Sequence, residues 1–262
     1  MSIALADDGC RLYYEVKGEG APLVLIPGLG GDGRFWGGVE IALKGFRIIT
    51  VDHRGAGRSD RPEKGYSINR IASDVLTILD VEKIDAAHLV GHSTGGTVVQ
   101  TIALDAPERA KSLVISGSWA RPDARFRALF QSRLEMMQKG GVRAYQNLTH
   151  VFGYTPEWIA AHEVELSAAV VSAADNLAPY NVTAQRIAML LDFDRSQELA
   201  TISQLTLLLG ARDDIMIPYH HTEELHQLIA HSEIREMHGG HFYPRVGPQE
   251  FAEAIARFLT SA

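Results

Sequence analysis

At 262 residues, with 46% hydrophobic and 22% charged side chains, the chain can bury one large core and carries no mark of disorder or of a fibre. Its formal net charge of −7 comes without long like-charge runs, which argues against nucleic acid or an anionic membrane and leaves a small molecule as the expected partner. Cys10 is the single cysteine, no signal peptide is read at Met1–Asp8, and no apolar stretch reaches about 18 residues, so a cytoplasmic chain without a membrane span is expected.

Ile3–Leu5 and Arg11–Lys17 flank the turn Asp7-Asp8-Gly9, and Leu12, Tyr14 and Val16 alternate with polar neighbours, which predicts an antiparallel hairpin. The runs Leu23–Ile26, Phe46–Val51 and Ala86–Val90 are continuously apolar, as parallel strands covered on both faces would be. Between the last two, Ser67 is placed to cap a helix whose Ile68, Ile71, Val75, Ile78 and Leu79 share one face. A helix is expected from Ser93 to about Asp105, stopping before Pro107, and then a strand over Ser112–Gly117. From Ser118 to Ala200 only helical periods appear, with Phe126, Phe130, Tyr145 and Trp158 among the aromatics. Alternation resumes with Leu205–Leu209, a helix over His220–Ala230, the strand Glu233–Met237 and a last helix from about Pro248 to Leu259. The pattern predicts an α/β core of residues 1–117 and 201–262, a mostly parallel sheet with helices on both faces, into which residues 118–200 insert a helical cap.

Gly91-His92-Ser93-Thr94-Gly95 falls between a buried strand and a helix, the setting in which G-x-S-x-G makes a nucleophile elbow. A serine hydroxyl needs a base and an orienting carboxylate. Asp213 and Asp214 both lie in the loop after the strand that follows the insertion, and either can serve as the acid. Of eleven histidines, His241 in Gly239-Gly240-His241-Phe242 follows a strand and precedes the last helix, which makes it the preferred base over His238. His220, His221, His226 and His231 are expected to be solvated on or near a surface helix. The N–H of Thr94, and that of Leu29 in the turn Pro27-Gly28-Leu29-Gly30-Gly31, are the expected oxyanion donors.

Together these segments, with Asp52-His53-Arg54-Gly55-Ala56-Gly57-Arg58-Ser59, resemble the α/β-hydrolase superfamily across nearly the whole chain. The resemblance implies the order serine, acid, histidine and selects Asp214, because Asp214-Ile215-Met216-Ile217-Pro218 resembles the D-x-x-x-P acid loop. It also implies that His92 need not react and that the 52–59 segment is a structural loop. In size, cap and motif spacing the chain is similar to 3-oxoadipate enol-lactonases and aminoacrylate hydrolases, which implies a serine hydrolase acting on a small ester or lactone through an acyl-enzyme. The segment Gly91–Gly96 also resembles cofactor-free haloperoxidases and perhydrolases, while a serine at 93 sets aside dehalogenases and epoxide hydrolases, which use aspartate there.

Carbon–carbon bond hydrolysis by the same triad and a non-catalytic small-molecule binder are the alternatives. A further one is a dinucleotide fingerprint, since Gly28, Gly30 and Gly33 spell G-x-G-x-x-G with Asp52 about 20 residues on. Pro27 and an expected interruption of any helix by Gly37-Gly38 argue against it. No cofactor or metal is expected, and a homo-oligomer is left open.

Overall fold

The computed structural model describes residues 2–261. The opening hairpin forms from β1 (Ser2–Leu5) and β2 (Arg11–Lys17), with Ile3 opposite Tyr13 and Ala4 opposite Leu12. β3 (Ala21–Ile26), β4 (Phe46–Val51), β5 (Ala87–His92), β6 (Ala110–Ser116), β7 (Thr206–Ala211) and β8 (Ser232–Met237) complete one sheet in the order β1-β2-β4-β3-β5-β6-β7-β8. β2 joins β4 antiparallel, and every pairing beyond β4 is parallel. Successive side chains of β3 show why these runs are continuously apolar. Val24 and Ile26 enter one hydrophobic cluster, while Leu23 and Leu25 enter the other on the opposite face.

Helices cover both faces. α1 (Gly37–Ala42) opens at the glycine pair expected to interrupt a helix, which corrects that expectation. Packing overrides propensity here: Trp36 and Val39 are fully buried, and a Cβ on Gly38 would stand 2.9 Å from the Pro248 side chain. α2 (Ile68–Val81) starts where Ser67 accepts the Arg70 N–H at 3.1 Å, and its five predicted face residues are all buried, each contributing roughly 1.5–3 kcal/mol of apolar burial. α3 (Thr94–Asp105) follows β5 directly and is buried over nearly its whole length.

Between β6 and β7 every α-helix or strand among the described residues is a helix: α4 (Ala124–Gly153), α5 (Pro156–Ala161), α6 (Glu163–Val171), α7 (Ala173–Asn176) and α8 (Tyr180–Leu191). Asp123 caps α4 by accepting the Phe126 N–H at 2.7 Å, and Gly141, at φ +78°, kinks it. Trp119, just after β6, packs on Phe126 and Phe126 on Phe130 with tilted rings, centroids 4.6 and 4.4 Å apart. α9 (His220–Leu228), the unforeseen α10 (Tyr243–Val246) and α11 (Pro248–Ser261) finish the chain. No helix among the described residues is long and apolar enough to cross a membrane.

Candidate active site

Ser93 sits in the turn from β5 to α3 with φ 54° and ψ −118°, a left-handed conformation that a side-chain-bearing residue adopts only when its surroundings enforce it. The enforcement is visible on both sides. A Cβ on Gly91 would stand 2.1 Å from the Gly95 carbonyl oxygen, and one on Gly95 would stand 2.0 Å from that of Ile26. Only glycine lets β5, α3 and β3 come this close. The Ser93 N–H donates to the Ser116 carbonyl at 2.8 Å, fixing the turn against β6. The glycine-rich turn after β3 lies beside the serine: a Cβ on Gly28 would be 3.2 Å from Ser93 Cβ. Leu29 lines the same cavity as Ser93, and Thr94 is the fully buried first residue of α3.

The two aspartates of the loop after β7 face different ways. Asp214 is buried, and its Oδ2 lies 2.7 Å from Nδ1 of the equally buried His241. Its Oδ1 accepts the N–H groups of Met216 and Ile217, both at 2.8 Å. With Oδ1 engaged by two N–H donors, Oδ2 accepts the hydrogen bond from Nδ1–H, so His241 turns Nε2 out as an acceptor. Asp213 is exposed and accepts the Gly239 N–H at 3.0 Å, which holds the loop carrying His241. His238 is exposed and does not share this site.

His92 lies against His241, ring centroids 4.8 Å apart, but its Nδ1 is engaged by Ser116. Tyr243 Oη donates to the Leu209 carbonyl at 2.9 Å, so at 2.6 Å the Ser116 hydroxyl donates to Tyr243 and must accept from His92 Nδ1–H at 3.0 Å. Burial holds the His92 ring well below its ordinary pKa, so it is a neutral wall residue stacked on Phe35. Sequence reasoning passed over Tyr243 and Phe35, because nothing in the local pattern shows which aromatic rings will meet the elbow.

A cavity of about 390 Å³ joins Ser93, His241 and Leu29 to Phe130, Arg133 and Tyr145 of α4. This size suits a small organic molecule. Trp119 and Trp158 stay out of its lining: Trp119 is buried on Phe126, and Trp158 stacks between Tyr154 and His162 at 4.0 and 3.7 Å.

The dinucleotide alternative fails on its own residues. Asp52 Oδ1 accepts the Gly33 N–H at 2.8 Å, and the carboxylate also pairs with Arg58 at 2.8 Å, so acid and glycine turn satisfy each other. Ser59 Oγ donates to the Asp52 carbonyl at 2.6 Å, and Arg54 pairs with Asp74 at 2.6 Å, which gives the 52–59 segment its structural role.

One histidine departs from expectation. His221 is buried rather than solvated, because the start of α4 covers it, and burial pushes its pKa down to about 4. Asp123 Oδ2 lies 3.0 Å from His220 Nε2 and 3.5 Å from His221 Nε2, a grouping with metal-ligand spacing outside the cavity lining. His226 and His231 are exposed, as is His220.

Residues 21–246 match the family described as the alpha/beta hydrolase fold. The chain belongs to that family. Among curated proteins, this hydrolase is 34% identical over 249 residues to one from Azorhizobium caulinodans named "Putative carbamate hydrolase RutD", with 94% of each chain covered. A protein of the same name from Caulobacter vibrioides is 33% identical over 259 residues, covering 96% of each. Among solved structures, the enol-lactonase from Burkholderia xenovorans LB400 superimposes with a TM-score of 0.91 at 23% identity, covering 99% of this chain and 100% of that one, a likeness of fold. Est816, described as an N-acyl homoserine lactone degrading enzyme, does so at 0.84 and 28% identity, covering 98% of this chain and 100% of its own. The hydrolase therefore has relatives named for more than one kind of scissile bond.

Proposed function

We propose that this hydrolase cleaves a small carboxylic ester or lactone through an acyl-enzyme on Ser93, with His241 as base, Asp214 as its orienting acid and residues 118–200 as the cap over the site. The observation that carries the reading is the buried Asp214–His241 hydrogen bond, whose histidine lines the same cavity as a serine held in a strained elbow.

In the proposed reaction Ser93 Oγ attacks the carbonyl carbon while its proton passes to His241 Nε2. The N–H groups of Leu29 and Thr94 receive the developing oxyanion, each donor of this kind being worth ~2.7–4 kcal/mol in the transition state. Collapse breaks the bond to the leaving alcohol, which takes the proton from His241. Water then gives a proton to His241 and attacks the acyl carbon, and release of the carboxylic acid returns that proton to Ser93. The buried His92 and the half-buried Phe35 stacked on it keep one wall apolar around this exchange.

The name carried by the relatives at 34% and 33% identity favours one second reading, in which the acyl group is a carbamate. The same nucleophile and oxyanion donors would serve it. Carbon–carbon bond cleavage shares the triad but predicts little turnover of simple esters. A panel of lactones, short 4-nitrophenyl esters, carbamates and β-diketones sorts these bonds, and Ser93→Ala should lower kcat on the best of them by at least about 10⁴-fold. Retained activity in that variant refutes the proposal. The single cysteine and the charge distribution support a cytoplasmic enzyme whose partner is its small-molecule substrate.

A further inference from the structure

Asp123, His220 and His221 meet where the helical insert joins the core. Asp123 stands just before α4, and the two histidines open α9. Among the described residues they form the one group of three His, Cys, Asp or Glu side chains whose ligand atoms all lie within 4.8 Å of one another. A metal ion bound to imidazole nitrogens at about 2.0–2.1 Å and to a carboxylate oxygen at about 2.0–2.2 Å in a tetrahedron sets its ligand atoms roughly 3.3–3.5 Å apart. Asp123 Oδ2 lies 3.0 Å from His220 Nε2 and 3.5 Å from His221 Nε2, which brackets that spacing.

His221 is the residue that asks for a ligand. Its side chain is 2% exposed, and among the described residues neither Nδ1 nor Nε2 has a hydrogen-bond partner. A buried polar group left unpaired is costly, and native structures keep few of them. Nδ1 faces Glu224 Oε2 at 4.0 Å, and Phe126 meets the ring edge-on. With its proton on Nδ1, toward that carboxylate, Nε2 turns a lone pair toward Asp123 Oδ2, and a cation between the two satisfies both. Asp123 is divided to match: Oδ1 accepts the Phe126 N–H at 2.7 Å, which leaves Oδ2 to the histidines. The neighbouring cations are committed elsewhere, Arg121 to Glu224 Oε1 at 2.9 Å and Arg125 to the carbonyls of Ile215 and Met216.

We propose that Asp123 Oδ2, His220 Nε2 and His221 Nε2 bind a Zn²⁺ ion or a similar divalent first-row metal, which clips the start of the insert to α9 of the core. Two imidazoles and one carboxylate favour zinc, cobalt or nickel over magnesium and calcium, which take oxygen donors. The exposed side of His220 leaves the fourth position to water. All three residues lie outside the lining of the cavity that holds Ser93, so the site is a structural one and does not depend on Ser93 being the nucleophile.

Titration of Zn²⁺ into the chelator-treated full chain, read by calorimetry and by thermal unfolding, tests the site. One equivalent should bind through these side chains, and free Zn²⁺ at about a hundred times Kd should raise Tm by roughly 5–10 °C. Mg²⁺ and Ca²⁺ should leave Tm where it was; a rise with them equal to that with Zn²⁺ contradicts the ligand set. Asp123→Asn keeps an acceptor for the Phe126 N–H but removes the anion, and His220→Gln alters an exposed side chain, so both variants should fold. Each should weaken Zn²⁺ binding at this site by at least about tenfold and shrink the Tm rise in proportion. His221→Gln should do the same, and if that buried change prevents folding the other two still decide. A cluster that only makes hydrogen bonds would shift the metal-free Tm of the variants while Zn²⁺ moved none of them. Failure of Zn²⁺ to bind the native chain overturns the site. So does binding of equal affinity in the native chain, Asp123→Asn and His220→Gln, which would mark an adventitious ion on other histidines.

Discussion

Replacing Asp214 with asparagine tests the acid through a change of one atom pair. Oδ1 of Asp214 accepts two backbone N–H groups, from Met216 and Ile217, both at 2.8 Å. In the variant the amide oxygen must stay on that side, because an NH₂ there would oppose two donors. The NH₂ is then turned toward His241 Nδ1, 2.7 Å away in the native protein, and can only donate to it. His241 must therefore carry its proton on Nε2, where the Ser93 proton has to go. Wrong-tautomer variants of such triads lose about 10⁴ in kcat, roughly 5.5 kcal/mol of transition-state stabilisation. Steady-state hydrolysis of an activated ester at pH 7 reads this directly. Asp213→Asn is the control: the exposed side chain meets the Gly239 N–H, which an amide oxygen can also accept, so activity should stay within about threefold. Comparable losses in the two variants, or more than a tenth of native activity in Asp214→Asn, would refute the reasoning.

Gly91→Ala should be among the most damaging single-methyl additions, because its Cβ would fall 2.1 Å from a backbone oxygen of α3 that no side-chain rotation can move. A loss of at least ~2 kcal/mol in urea denaturation is expected, and an unchanged midpoint contradicts the elbow geometry. Stability should also fall as pH drops from about 6.5 toward 4. His53 and His221 are held neutral by burial with pKa values pushed down to about 3 and about 4, so over that window the unfolded chain takes up protons that the native state refuses. His221→Phe should flatten part of this slope, and identical pH dependence in variant and native protein would show that His221 is not the source.

What the sequence revealed follows the range of the forces involved. Strands β3 to β7 were legible because burial on both faces leaves a continuous apolar run, and the elbow because its glycines answer a collision between neighbouring segments. Gly37-Gly38 misled for the opposite reason: local propensity argues against a helix there, but contact with Pro248, more than 200 positions away, favours one. His221 was read as solvated because its cover is Asp123 at the start of the insert, a partner almost a hundred residues distant. Asp213 and Asp214 differ in the sequence only by the D-x-x-x-P resemblance, while the fold turns Asp214 to His241 and Asp213 to the Gly239 N–H. Arg133 was not legible either, since its burial in the cavity wall depends on Met216, more than 80 residues away, as well as on its own helix.

Covalent labelling of the nucleophile tests the central claim most directly. A fluorophosphonate probe should modify the hydrolase once, on the peptide containing Ser93 as read by mass spectrometry. Labelling should vanish in Ser93→Ala and slow by orders of magnitude in Asp214→Asn. Absence of labelling in the native protein, or modification that persists without Ser93, would contradict an acyl-enzyme mechanism at this elbow.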